Sequence, residues 1–459
     1  MRRLVFVSLF LLSCGPIENP GIPGDGGASP TVDSGGAGGL PDAYFGPTAR
    51  VTGRVWAPGQ APGMVPLGQE VPVFSALVTV SPGRQAPIPQ ETFCERCVNP
   101  SGKYVFTDHQ GNFDLDIINP GNYWLTIQKG QFRVEQEVVM GPDQTLELAA
   151  QDSTLPSRND PANGRWIPRI AMAVGSYDHL EDILGKMGLG SVSGSGDYVD
   201  TSAAGIMDVY TNGTSFGGGT QGTLTDLVGD LNRLLQYHIL FIPCSTSTNT
   251  GALLNQQNLH NIRDFVDAGG KLYVTDWSGE WADNVFPAQM TLGANEDTPA
   301  SAYNPTTDSW NTNQFGDADG SFYDSNNAEI IDPDLFDWLN GQAGPIVENY
   351  NTTVDYNPSQ FTVEGNWNTI EALNQVVIGQ DNEGLPIYDT PQAFIIGGRG
   401  TSTPKKPLTV TFEPTGCGRV LYSTYHTTDN THNGLVPQER VLLYLIMEIG
   451  VCQSGPIID

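Results

Sequence analysis

Basic residues are scarce in this chain. Lys and Arg total 21 against 51 Asp and Glu, a formal charge of −30 over 459 residues. Such a surface repels phosphate backbones and anionic headgroups, so nucleic acid is not an expected partner, whereas divalent cations are compatible with it. Histidine is scarcer still, with six in all, so His426 and His432 in one short loop invite inspection. Cysteine is limited to six, Cys14, Cys94, Cys97, Cys244, Cys417 and Cys452. No apolar run reaches the about 20 residues that a membrane-crossing helix needs. What is present suffices for globular domains: 39% of residues are hydrophobic, and the length exceeds one ordinary core, so two or three domains are expected.

The amino-terminal stretch reads as a secretory signal. Arg2 and Arg3 precede the apolar run Leu4 to Leu12, followed by Ser13 and Cys14. Ending in L-L-S-C, it resembles a bacterial lipobox, with a plain signal peptide as the alternative. The resemblance implies cleavage before Cys14, lipidation of that cysteine, and anchoring to a membrane by acyl chains. It therefore implies an exported bacterial lipoprotein at the outer membrane or cell surface. Residues 15–48, rich in Gly, Pro, Asp, Ser and Ala, cannot build a core and are expected to form a flexible linker of roughly 30 Å root-mean-square reach.

Residues 49–152 read as short strands separated by turn signals. Alternation at Phe113, Leu115 and Ile117, and again at Tyr123, Leu125 and Ile127, is the pattern of half-buried strands. Turns at Thr107 to Phe113 and Pro120 to Tyr123 complete a small all-β sandwich. V-T-G-R-V, T-D-x-x-G-x-F and P-G-x-Y-x-L make this segment similar to the carboxypeptidase regulatory-like, transthyretin-like domains, which implies a structural or binding module. Cys94 and Cys97, in F-C-E-R-C-V, are expected to form a local disulfide, with metal binding or redox chemistry as alternatives.

From residue 165 to 459 strands and helices alternate, which predicts an α/β flavodoxin-like domain with a parallel sheet. Asp178 is expected to cap a helix, and Thr223 caps a second with apolar residues at one helical face. A stretch of about 282–350, rich in Asn, Asp, Thr and Gly, breaks the rhythm and reads as a long insertion, followed by antiparallel edge strands. Within it, Asp317 to Gly320 with Asp324 invites a calcium reading but lacks the EF-hand spacing. No resident cofactor is expected.

In such a sheet, ligands gather at the carboxyl ends of the strands. Ser176, Asp178, Cys244, Asp276, Trp277, Ser278 and His426 are all predicted there. F-I-P-C, D-A-G-G-K-L-Y-V-T-D-W-S-G and G-R-V-L-Y-S-T-Y-H resemble the class I glutamine amidotransferase-like fold, which implies that His426 stands where that family's catalytic histidine would. The same alignment puts Trp277 in the place of the family's cysteine and Thr428 where a glutamate is expected, so a glutaminase nucleophile is missing. Cys244 or Ser278 with His426 is the substitute catalytic set. His426, Asp429 and His432 lie in a loop, so metal is not assigned to them; Ser176, Asp276, Trp277, Asp429 and His432 are candidate ligand-binding residues. Cys417 and Cys452, placed at the amino edge, are expected to pair, leaving Cys244 free. Two function classes follow. One is a non-catalytic, surface-anchored binding or scaffold protein for a glycan, polymer or protein partner, using Trp277, Trp281, Trp310 and Tyr323 as stacking platforms. The other is a cysteine- or serine-dependent hydrolase acting on amide or ester bonds.

Overall fold

The computed structural model describes residues 48–95, 100, 102–117, 119–200, 206–245, 250–293, 303–304, 306–310, 322–341, 346–349, 352–354, 361–381, 383–427, 434–435 and 437–449. The lipobox with Cys14, the linker, Cys97, Asp317, Gly320, Asp429, His432 and Cys452 lie outside them. The structure is mostly β, with several sheets, and multidomain. Among the described residues, no helix is long and apolar enough to cross a membrane.

The first unit is built from two sheets. Ala49–Arg54 sits between Asn112–Ile117, antiparallel, and Gln144–Glu147, parallel. The second sheet has five strands, with Gly121–Lys129 between Leu77–Ser81 and Phe132–Met140, and Arg165–Trp166 at one edge. The alternating pattern of Asn112–Ile117 is realised, since Phe113, Leu115 and Ile117 are buried while their neighbours are exposed. Its entry turn is held by the Asp108 carboxylate, which accepts from the N–H groups of Gln110 and Asn112, while Gly111 takes a φ of 77° that a β-carbon would oppose.

The second unit is centred on a nine-stranded sheet. Met207–Thr211, Ile170–Val174, Ile239–Ile242, Lys271–Thr275 and Arg419–Ser423 run parallel in that spatial order. Every residue of Ile170–Val174, Ile239–Ile242, Lys271–Thr275 and Arg419–Ser423 is buried, the mark of strands covered on both faces. Lys406–Phe412, Gln392–Gly397, Tyr323–Ile330 and Phe361–Asn366 extend the sheet antiparallel. Tyr323–Ile330 therefore belongs to the sheet although it lies within the stretch read as an insertion. Asp324, in that strand, accepts from the Gly365 N–H at 3.1 Å, a structural use of the carboxylate proposed for calcium.

Helix ends follow the sequence in part. Thr223 forms a capping box with Asp226, but the helix it starts stops at Val228, and Asp230 caps a second, Leu231–Leu234. Asp332 caps Pro333–Asn340 as its D-P sequence predicts. Asp178 is not at the N-cap position. His179 stands at the N-cap of Leu180–Lys186 without a capping bond, and Asp178 is buried at the sheet edge instead.

The two units are clamped at the amino edge of the parallel sheet, and here the cysteine expectations are corrected. Cys94 is bonded to Cys417 across 323 residues, with their Cα atoms 5.3 Å apart. Neither the Cys94–Cys97 nor the Cys417–Cys452 pairing can coexist with it. The reason is docking. The backbone of Phe93 and Cys94 packs so closely on Gly269, at φ 106°, that a β-carbon there would overlap it. Thr92 N–H bonds the Leu235 carbonyl at 2.8 Å, and Glu95 pairs with buried Lys271 at 3.5 Å. His238 adds a pin, since its Nδ1 accepts from Arg169 N–H at 2.8 Å and its Nε2 reaches the Pro89 carbonyl at 3.0 Å. One apolar cluster runs through both units, from Val51 and Leu115 to Met172 and Leu445.

Two outcomes follow from this clamp. Peptide mapping under non-reducing conditions is expected to join Cys94 to Cys417, and Cys417→Ala to lower unfolding free energy by about 3–5 kcal/mol because the closed loop is long; a Cys94–Cys97 peptide would overturn the pairing. Burial, reinforced by the Lys271 charge, pushes the His238 imidazole down to about 4. The folded chain thus binds fewer protons than the unfolded one. This group's contribution, on the order of 3 kcal/mol, is fully present above about pH 6.5 and lost as pH falls toward 4. In chemical denaturation, His238→Gln is expected to flatten the stability curve across that window relative to wild type.

Candidate functional site

The parallel register brings the carboxyl ends of the strands to one edge, and each end is followed by a polar turn. After Ile170–Val174 come Gly175, Ser176, Tyr177 and Asp178. A β-carbon on Gly175 would overlap the Cys244 carbonyl, so glycine permits the two strand ends to touch. Tyr177 N–H and Asp178 N–H both point at that same carbonyl, at 3.3 and 3.4 Å. The Asp178 carboxylate then accepts from Thr275 Oγ1 at 2.7 Å and from the Thr427 N–H at 3.0 Å, tying three segments together. Thr275 Oγ1 also accepts from the Cys244 N–H at 3.0 Å.

Asp276 is the unexpected centre. It leaves the strand Lys271–Thr275 with φ 47°, a left-handed conformation that side chains other than glycine rarely adopt, and it is fully buried. Its Oδ1 accepts from the Trp367 N–H at 2.8 Å, its backbone carbonyl accepts from the Tyr422 hydroxyl at 3.0 Å, and its Oδ2 faces His426 Nε2 at 2.8 Å. No donor is aligned on that Oδ2, so the close approach of His426 is off the hydrogen-bond axis. Trp277, the next residue, turns outward and is 36% exposed. The strained position belongs to a carboxylate.

Cys244, Asp276 and His426 converge, with the sulfur, carboxylate and imidazole ligand atoms all within 4.8 Å of one another. The Cys244 sulfur is within hydrogen-bond reach of His426 and accepts from the Trp277 backbone N–H. Cys244 is the free cysteine among the described residues. Burial pushes its thiol up to about 12, against the weaker opposing pull of His426. Burial likewise pushes Asp276 up to about 7, with His426 again opposing. His426 is itself held by its backbone, its N–H on the Gly365 carbonyl at 3.1 Å and its carbonyl accepting from Gln438 at 2.6 Å.

The other predicted residues divide. The Ser278 hydroxyl donates to the Pro243 carbonyl at 2.8 Å and is buried, so in this structure it is engaged in holding the turn. Ser176 meets Ser245 at 3.3 Å, hydroxyl to hydroxyl. Trp281, Trp310 and Tyr323 are buried and offer no stacking surface; only Trp277 of the four does. Its partners were not legible in the sequence. Trp277 stands 6.5 Å from Tyr177 and 6.0 Å from Trp367, ring centre to ring centre, and Trp367 stands 5.4 Å from Phe322. Tyr177 and Phe322, 44% and 51% exposed, close the two ends of this aromatic strip. Trp367 arrives from the far end of the antiparallel extension, after Phe361–Asn366, and nothing in its local sequence announces the site.

Comparisons with known proteins add no family. No protein-family model and no curated protein matches the chain. A solved structure, Cytoplasmic Protein STM3548 from Salmonella typhimurium, aligns over 63% of this chain and 100% of its own, at 9% identity and a TM-score of 0.28, which carries no argument about fold or function.

A buried thiol with a raised pKa reacts slowly, because the thiolate is the attacking species. Native protein treated with iodoacetamide at pH 7.5 is expected to remain unlabelled at Cys244 over minutes and to label fully once unfolded, read by peptide mass spectrometry. Rapid native labelling would show that the thiol opens to solvent and would favour a nucleophilic role.

Proposed function

We propose that this chain is an exported, lipid-anchored binding protein whose aromatic strip takes a glycan or related polymer. Cys14 carries the acyl anchor, and residues 15–48 hold the folded units off an outer membrane or cell surface. The five parallel strands with their antiparallel extension are a non-catalytic relative of the amidotransferase-like fold. The sandwich is a carboxypeptidase regulatory-like module.

The observation that carries this reading is the strip Tyr177–Trp277–Trp367–Phe322, with Tyr177, Trp277 and Phe322 exposed and Trp367 half-buried between them, at the strand-end edge where such sheets bind ligands. Flat aromatic faces beside polar loops suit the apolar faces of sugar rings, and the net negative charge disfavours polyanions. The buried state of Cys244, with its thiol held neutral, speaks against turnover. The hydrolase reading keeps one specific support, the convergence of Cys244, His426 and Asp276, and the labelling experiment above decides it.

Affinity electrophoresis against neutral glucan, mannan and chitin-type polymers tests the binding reading. Wild type is expected to be retarded by at least one, and Trp277→Ala and Trp367→Ala are each expected to weaken binding about tenfold or more, the loss typical of a central aromatic anchor. Tyr388→Ala, an exposed aromatic on the hairpin Val376–Gln380 and Pro386–Asp389, is expected to change nothing. Retardation that survives both tryptophan substitutions would remove the strip from the proposal.

A further inference from the structure

We propose that Cys244, Asp276 and His426 form a binding site for one divalent transition-metal ion of the zinc class. Three observations carry it. The sulfur, carboxylate and imidazole ligand atoms lie within 4.8 Å of one another, and all three residues are buried. Tetrahedral zinc with bonds of about 2.0 to 2.3 Å holds its ligand atoms roughly 3.3 to 3.6 Å apart, so small side-chain rotations close the set. Asp276 Oδ2 is buried with no aligned hydrogen-bond donor, aimed at the space the sulfur and imidazole share.

The surroundings are those of a metal site. Oδ1 of the same carboxylate is engaged by the Trp367 N–H, which leaves Oδ2 for the ion, and the Cys244 sulfur receives the Trp277 N–H, the kind of outer hydrogen bond that orients a ligating thiolate. The left-handed backbone at Asp276 is what turns its carboxylate inward rather than along the strand. Each ligand comes from the end of a different strand, Ile239–Ile242, Lys271–Thr275 and Arg419–Ser423, so their spacing is set by the parallel sheet and not by a flexible loop. Thiolate, imidazole and carboxylate together select zinc, cobalt and their neighbours over calcium and magnesium.

Binding is balanced simply. The hydrated ion exchanges waters for the three side chains, the Cys244 thiol and the protonated fraction of the Asp276 carboxyl lose their protons to buffer, and the sulfur–metal and oxygen–metal bonds form. A thiolate and a carboxylate against a divalent ion then leave the buried site with no net charge, which a low-dielectric interior favours. The same ion would fix the backbone of Trp277, which follows Asp276, and that of Trp367, which bonds it. The site is thus separate from the aromatic strip but stiffens its base.

The test uses the full chain, freed of metal by chelator dialysis and titrated with Zn²⁺ and, separately, with Co²⁺. Expected are one equivalent of retained zinc by elemental analysis, a higher melting temperature, and with cobalt the intense near-ultraviolet band of a thiolate-to-metal transition. Cys244→Ser is expected to abolish that band, and Asp276→Asn, which tolerates the left-handed backbone, to lower zinc affinity at least about tenfold. Circular dichroism of the variants separates loss of ligand from loss of fold. Wild type that retains no zinc at about 10 µM, or a cobalt–thiolate band that persists in Cys244→Ser, overturns the assignment. Either failure leaves the tryptophan binding assay untouched, so the two proposals fall independently.

Discussion

A carboxylate removed from water needs donors inside the protein to keep its charge, and the carboxyl edge of the parallel sheet is organised around two buried carboxylates. The Asp178 carboxylate gathers Thr275 and Thr427, while that of Asp276 takes the Trp367 N–H and faces His426, and the Asp276 backbone carbonyl takes the Tyr422 hydroxyl. Between them they join the ends of three parallel strands and the far side of the antiparallel extension. No one of these contacts is between sequence neighbours. The side chains that could do chemistry, and the aromatic rings above them, are positioned by these bonds.

The opposite edge is governed by a different constraint. The first unit does not hang from the second by a linker; it lays the loop around Phe93 against glycines that leave room for backbone and nothing more. That close approach brings Cys94 to Cys417, Glu95 to Lys271 and Pro89 to His238. Burial of Lys271 depresses its amine and burial of Glu95 raises its carboxyl, with each partner's charge offsetting the other's shift. Removing one member alone would strand the other, so the pair is coupled to the docking itself.

Legibility in the sequence tracks the range of the interaction. Thr223 with Asp226, Asp332 with Pro333, and the Asp108 turn were readable because both partners sit within one turn of chain. The alternation in Asn112–Ile117 and the apolar runs of the parallel strands were readable because periodicity reports burial directly. Asp178 has the look of a cap, yet the N-cap position falls on His179 and the Asp178 carboxylate binds two threonines across the sheet edge. The cysteine pairing failed similarly, since short spacing suggested Cys94 with Cys97 while inter-unit docking delivered Cys417. Which side chain of the turn after Lys271–Thr275 points inward was not legible in the sequence, because the left-handed backbone angle at Asp276 decides it.

Composition and pattern by themselves determined the acidic character, the strand-rich first half, the run of buried strands in the second, and the gathering of Cys244, Asp276 and His426 at one edge, because each of these depends on local propensity or on a rule of sheet connectivity. Only the tertiary structure decided that Asp276 turns inward and Trp277 outward, that Trp367 completes the aromatic strip, and that Cys94 meets Cys417. Those outcomes rest on contacts between segments tens to hundreds of residues apart, and no local sequence signal carries the distance between two surfaces that meet only after folding.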